Sequence, residues 1–283
     1  MHDPYHRPGL HMRGLRLPST AVLVLAVVLL AGGAHVTDDA TSGLAPLRVL
    51  LITGGGWHDY TAQQRILADG ITARVNAVIT IDHEAGEDSG ARIARHRSSE
   101  WASEFDVVLY NICFAEVRDV EWTEAIVRAH VAEQVPAVVL HCTMHSYNYQ
   151  GDSPIWSMFV GVRSHRHQRQ MPFTVEALDS EHPIMKDFPA PWQTPQGELY
   201  EIVDVYPTAT PLGHALGQDS GEHQVAIWTN RFAGVRVFGT TIGHHNETMQ
   251  TDAYLELIAD GLLWAADRLD ASGRPVAGYE AVK

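Results

Sequence analysis

The chain has 283 residues, of which 20 are basic and 34 acidic, for a formal charge of −14 at neutral pH. A chain this acidic, without a basic cluster, is a poor partner for nucleic-acid phosphates. Two cysteines, Cys113 and Cys142, exclude a disulfide framework and allow one bridge at most; Cys142, at the end of an apolar run, reads as a buried or pocket-side thiol rather than a crosslink.

Arg13 and Arg16 precede the apolar run AVLVLAVVLLAGGA, which closes on Gly32, Gly33 and Ala34. A positive segment, a short apolar run and small residues are the layout of a signal peptide, here residues 1–34. The run falls short of the about 20 apolar residues of a membrane span. Export to a secreted or periplasmic location is expected, without stable membrane insertion; an N-terminal membrane anchor is the alternative. Processing would remove three arginines and one aspartate, leaving 17 basic and 33 acidic residues and a charge of 17 − 33 = −16.

Residues 35–47 are small, polar and aperiodic, and read as a linker. LRVLLITGGG then gives a β-branched apolar strand stopped by Gly54, Gly55 and Gly56, and TAQQRILADGITARV behind it sets Ile66, Leu67 and Ile71 on one helix face. The alternation continues through NAVITID, FDVVLYNI, the helical DVEWTEAIVRAHVAEQ and VPAVVLHC. Short apolar strands separated by helices predict a mainly parallel sheet covered on both faces. Ligands of such sheets lie beyond the carboxyl ends of the strands, where Gly54 to His58 and His141 to His145 fall.

The second half differs. FTVEAL, GELYEIV, TPLGHAL, HQVAIWT and GVRVFGTTIG are closely spaced strands with NRFAG as a hairpin turn, which predicts an antiparallel extension. TDAYLELIADGLLWAADRL closes the domain as an amphipathic helix, so that the folded unit spans 48–268 and residues 269–283 form a flexible tail.

The triple glycine has neither the G-x-G-x-x-G spacing of a dinucleotide site nor the G-K-[ST] ending of a P-loop, so no nucleotide is expected. A nucleophile elbow centred on Cys142 needs small residues two positions to either side, and Leu140 and Met144 stand there. Histidine carries more information. His58, His141, His145, His165, His167, His244 and His245 fall at strand ends, whereas His83, His96, His130 and His223 read as ordinary core or surface residues. His165 and His167 share a face if their segment is extended. Clustered imidazoles with a carboxylate such as Glu198 or Glu247 suit zinc or a similar divalent metal; the same residues could instead bind a sugar and shuttle protons. Trp57, Tyr60, Tyr147, Tyr149, Trp156 and Tyr200 accompany them and offer the aromatic faces of a carbohydrate pocket, or ordinary core.

LLITGGGWHDY, VVLHC, SEHPIMKDFP, GELYEIV, GVRVFGTTIGHHNETM and LIADGLLWAADRL, in this order over about residues 48–268, resemble the ThuA-like (trehalose utilisation) family. The resemblance implies a class I glutamine amidotransferase-like fold, a flavodoxin-type three-layer sandwich that has lost amidotransferase chemistry. It maps the family's strand-end histidine onto His141, its Gly-His onto His244, its H-P-[IL] turn onto His182 and its E-x-Y pair onto Glu198 and Tyr200. The acid that often precedes that glutamate is Gly197 here. The implied function is metabolism of trehalose or a related disaccharide through 3-keto-sugars, as an isomerase, lyase or glycoside-cleaving enzyme, or as a non-catalytic carbohydrate-binding protein on the same scaffold. The expected site has His141, Glu198 and His244 as catalytic residues, Trp57, Tyr60, Tyr147 and Tyr200 against the sugar, and His58, His141, His167 and His244 as metal ligands.

Overall fold

The computed structural model describes residues 44–147, 151 and 153–282. The expected signal peptide, most of the linker and Tyr149 lie outside these residues. The described chain runs β1 (Leu47–Gly55), α1 (Tyr60–Thr72), β2 (Ala77–Glu84), β3 (Val107–Cys113), α2 (Val120–Glu133), β4 (Ala137–Leu140), a 3-10 turn (His141–His145), α3 (Ile155–Val160), β5 (Val162–His167) and β6 (Thr174–Ala177). It continues through β7 (Trp192–Gln193), β8 (Tyr200–Val205), β9 (Ala209–Leu216), β10 (His223–Phe232), β11 (Val235–Thr240), α4 (Asn246–Met249) and α5 (Asp252–Ala265).

Nine strands form one sheet in the order β2-β1-β3-β4-β11-β10-β9-β6-β7. The first five are parallel, and β10, β9, β6 and β7 extend the sheet in antiparallel pairs. β5 and β8 pair separately. Side chains of β1 divide by the period-two rule: Val49 and Leu51 pack with Leu67, Ile71 and the apolar face of α5, while Leu50 and Ile52 pack with Ile126 of α2 and Trp156 and Phe159 of α3. Each such fully buried aliphatic side chain contributes about 1.5–3 kcal/mol through water exclusion. The sheet covered on both faces that the alternation predicts follows, in the flavodoxin-like three-layer form that the resemblance implies.

Helix starts obey capping chemistry: Asp59, Asp119 and Thr251 accept from the backbone amides of Ala62, Trp122 and Tyr254. The β10–β11 hairpin turns on Ala233 and Gly234 with φ of 48° and 91°, the two left-handed positions of a tight two-residue turn.

Two expectations are corrected. Residues 269–282 are no frayed tail: Leu269 bridges Pro275, Val75 bridges Glu280, and the side-chain amide of Asn76 donates to the Gly278 carbonyl. The Asp270 carboxylate, which accepts from the amides of Ser272 and Arg274, sets the turn that sends this segment back. Cys113 and Cys142 are joined in a disulfide, because the carboxyl ends of β3 and β4 lie side by side. In β5, His165 and His167 line the same cleft, as their shared face implies, and a slip in the pairing with β8 between Arg163 and Arg166 brings Arg166 there as well.

Candidate functional site

The parallel strands deliver their carboxyl ends to one edge of the sheet, and four side chains converge there. His58 follows β1 by way of the glycine turn. At Gly55 φ is 104°, and a Cβ there would lie 2.4 Å from the Cys113 carbonyl, so only glycine lets β1 turn this close to β3. The His58 Nδ1–H donates to the Gly56 carbonyl at 3.1 Å, with the Tyr60 hydroxyl also 3.1 Å away. Nε2 therefore carries the lone pair; it is buried and has no hydrogen-bond partner among the described residues.

His141 occupies the sharp turn after β4 with φ 48°, a left-handed backbone uncommon outside glycine. That turn is where a nucleophile would project in an elbow, and an imidazole stands there instead. Its Nδ1–H donates to the Thr241 carbonyl at 2.6 Å, again leaving Nε2 as the lone-pair nitrogen. His244 comes in after β11, behind Gly243, whose φ of 130° and 2.7 Å approach to the Tyr254 hydroxyl admit no side chain. Glu198, just before β8, is buried, with 4% of its surface exposed.

The ligating atoms of His58, His141, Glu198 and His244 all lie within 4.8 Å of one another. His141 Nε2 is 3.2 Å from His244 Nδ1 and 3.3 Å from Glu198 Oε2, and His244 Nδ1 is 3.2 Å from the same oxygen. Tetrahedral zinc with bonds of about 2.0–2.1 Å separates neighbouring ligand atoms by about 3.3 Å. The donor set is chemically apt, and the two Nδ1–H to carbonyl bonds are the outer-shell contacts that fix a ligating tautomer. Gln170 closes the group, its amide donating to Glu198 Oε1 at 3.1 Å and lying 3.0 Å from His244 Nε2.

Burial sets the charge states. Desolvation, with the neighbouring imidazoles, pushes His58 and His145 down to about 3, and His141 is also lowered by burial despite the Glu198 carboxylate. Burial alone would raise the Glu198 carboxyl, but the close contacts of His141 and His244 with its oxygen outweigh that and hold the group well below the usual carboxylate range. Free-base imidazoles beside an ionised carboxylate are what a divalent metal requires.

A cleft of about 430 Å³ opens over this group. Trp57, 65% exposed, stands at its mouth with His165, Arg166 and His167. Tyr200 is buried on its wall, its ring 4.8 Å from His141 and 4.5 Å from His145. Tyr60 lies behind His58, outside the cleft lining. His167 does not join the four ligating residues; its Nδ1–H donates to the Gln168 carbonyl at 2.8 Å and stands 3.4 Å from Glu198 Oε1, on the opposite oxygen from His141 and His244.

Tyr147 is a correction: it is fully buried against Phe114 and Trp156 and is not among the residues that line this cleft. His182 caps the Pro183–Met185 turn against Trp264 and takes no part in the site, and Glu247 is exposed on α4. His245 is half-buried beside the His244 ring. Both half-cystines line the cleft floor, so Cys142 offers no thiolate. Gln170 had no sequence signal, lying in a loop without motif; its role comes only from the return of the β5–β6 connection over Glu198.

The comparison with curated proteins returned no match. Among solved structures, a ThuA-like protein of Parabacteroides merdae ATCC 43184 superposes with a TM-score of 0.63 at 17% identity, over 84% of this chain and 98% of that one. A ThuA-like protein of Bacteroides uniformis ATCC 8492 gives 0.61 at 16% identity, over 84% and 98%. A cytoplasmic protein of Salmonella typhimurium LT2 gives 0.54 at 11% identity, over 77% and 99%. At these identities the likeness is one of fold. The sequence matches the ThuA family, described as trehalose utilisation, over residues 48–265, and the chain belongs to that family.

Proposed function

We propose that the chain is a metal-assisted enzyme of carbohydrate metabolism, acting on a 3-keto form of trehalose or a related disaccharide, exported by its N-terminal segment. The observation that carries the metal reading is the buried, unpartnered Nε2 of His58 beside three donor atoms spaced 3.2 to 3.3 Å apart. The sugar class rests on the family's trehalose-utilisation description and on the aromatic and polar mouth of the cleft. Export rests on the apolar run behind Arg13 and Arg16.

His58, His141, His244 and Glu198 would hold the metal, which when bound polarises a sugar carbonyl and so acidifies the adjacent C–H bonds. His167, half exposed at the mouth, takes that proton and returns it to a neighbouring carbon or to a leaving oxygen. Trp57 lays its face against the sugar ring, and Tyr200 holds His141 and His145 in place. His145, a free base at neutral pH, accepts hydrogen bonds from sugar hydroxyls.

The test is incubation of the protein with 3-keto-trehalose, followed by proton NMR, with and without chelator and beside His141→Ala. Turnover abolished by both treatments supports the reading. Sugar binding without turnover in any sample would assign the scaffold to a carbohydrate-binding role instead.

A further inference from the structure

A second group of ligating side chains lies away from the cleft, on the antiparallel part of the sheet. Glu176 of β6 and His214 of β9 are direct cross-strand partners. His214 pairs with Val225 of β10, and His223 stands two residues from Val225 on the same strand. Because side chains alternate with period two, this register sets Glu176, His214 and His223 on one face of three adjacent strands.

The register brings the three side chains into contact. His214 Nε2 lies 3.2 Å from Glu176 Oε2. The two imidazoles stack with centroids 4.2 Å apart and planes at 22°, an arrangement that disfavours two positive charges. One ligating atom from each of the three residues lies within 4.8 Å of the others.

We propose that Glu176, His214 and His223 form a second metal site, for a borderline divalent ion of the zinc or copper class. Two imidazoles and one carboxylate match that class, whereas calcium and magnesium seek more oxygen ligands. The ligands stand on hydrogen-bonded strands, which hold them more rigidly than loops would. Solvent supplies the remaining coordination positions, since Glu176 and His223 are exposed. An ion there ties β6, β9 and β10 together across one face.

The test is calorimetric titration of the EDTA-stripped full chain with zinc chloride. His58→Ala/His141→Ala silences the cleft, and the expected result is one remaining equivalent, abolished by adding His214→Ala/His223→Ala and weakened about tenfold or more by Glu176→Gln. The exposed pair His214→Ala/His223→Ala, made alone, reads the same question on an intact cleft as the loss of one equivalent relative to the unsubstituted chain. An unchanged zinc stoichiometry in that variant overturns the proposal. A chain whose zinc is lost with His214 and His223 but kept without His58 and His141 upholds it while removing the cleft reading.

Discussion

His58 and His141 meet edge to face with ring centroids 5.0 Å apart, and each donates its Nδ1–H to a backbone carbonyl, of Gly56 and of Thr241. The two carbonyls belong to the ends of different parallel strands, so the sheet itself aims both Nε2 lone pairs at Glu198 and His244. Zinc at about a hundredfold its dissociation constant should stabilise the fold by about 2.7 kcal/mol. Chelator should therefore lower the melting temperature of the unsubstituted chain. His58→Ala should bind zinc at least about tenfold more weakly with unchanged circular dichroism, since its Nε2 supports no other contact. Equal zinc affinity in that variant would remove His58 from the ligand set.

His167 stands on the outer oxygen of Glu198, apart from the donor cluster. In the proposed reaction His167→Asn should lower kcat about 10²–10⁴-fold, the range of a lost general base, while zinc affinity stays within a few-fold. A parallel fall in both quantities would instead make His167 a support for Glu198.

The parallel core and its functional edge were legible in the chain because β1, β3 and β4 are short apolar runs that end on Gly54, Cys113 and His141. The antiparallel extension was legible from the closely spaced strands and the turn at Ala233 and Gly234. Tyr147 was misread because an aromatic two residues past His145 gives no sign of which way it points, and the φ of 49° there turns it into the core. The half-cystine pairing and the packing of residues 269–282 depend on long-range strand adjacency, which local pattern does not carry. Gln170 depends on the path of a loop. His223 was read as ordinary because its partner on β9 becomes visible only with the strand register.

The Cys113–Cys142 bond links the ends of β3 and β4 across a sequence separation of 29 residues, beneath the cleft. Loop-closure entropy for a span of this size corresponds to about 3–4 kcal/mol as an upper figure. Denaturant unfolding with and without dithiothreitol should show a lower midpoint in the reduced protein. Cys113→Ser/Cys142→Ser should reproduce it and be insensitive to the reagent. An unaltered midpoint would mean that strand pairing alone fixes these ends.

Asp260 on α5 gives the fold a pH dependence of unusual sign. Burial, with Glu256 and Asp187 nearby and only Arg274 opposing them, pushes its carboxyl from 3.8 up to about 7. Between those values the folded chain keeps a proton that the unfolded chain has released, so stability falls as pH rises through this window. His96 and His130 act oppositely: burial lowers them to about 3 and about 4, so that below pH 6.5 the unfolded chain takes up protons that the fold refuses, and stability falls as pH drops. The two effects oppose each other over much of the same range, and substitution separates them. Asp260→Asn should raise stability at pH 8 by about 1–2 kcal/mol, a figure discounted for the group's partial solvent contact, and leave the loss on the acid side intact. Urea unfolding at intervals from pH 4 to 8 reads both limbs, and a variant with the same profile as the unsubstituted chain would show that Asp260 ionises freely in the fold.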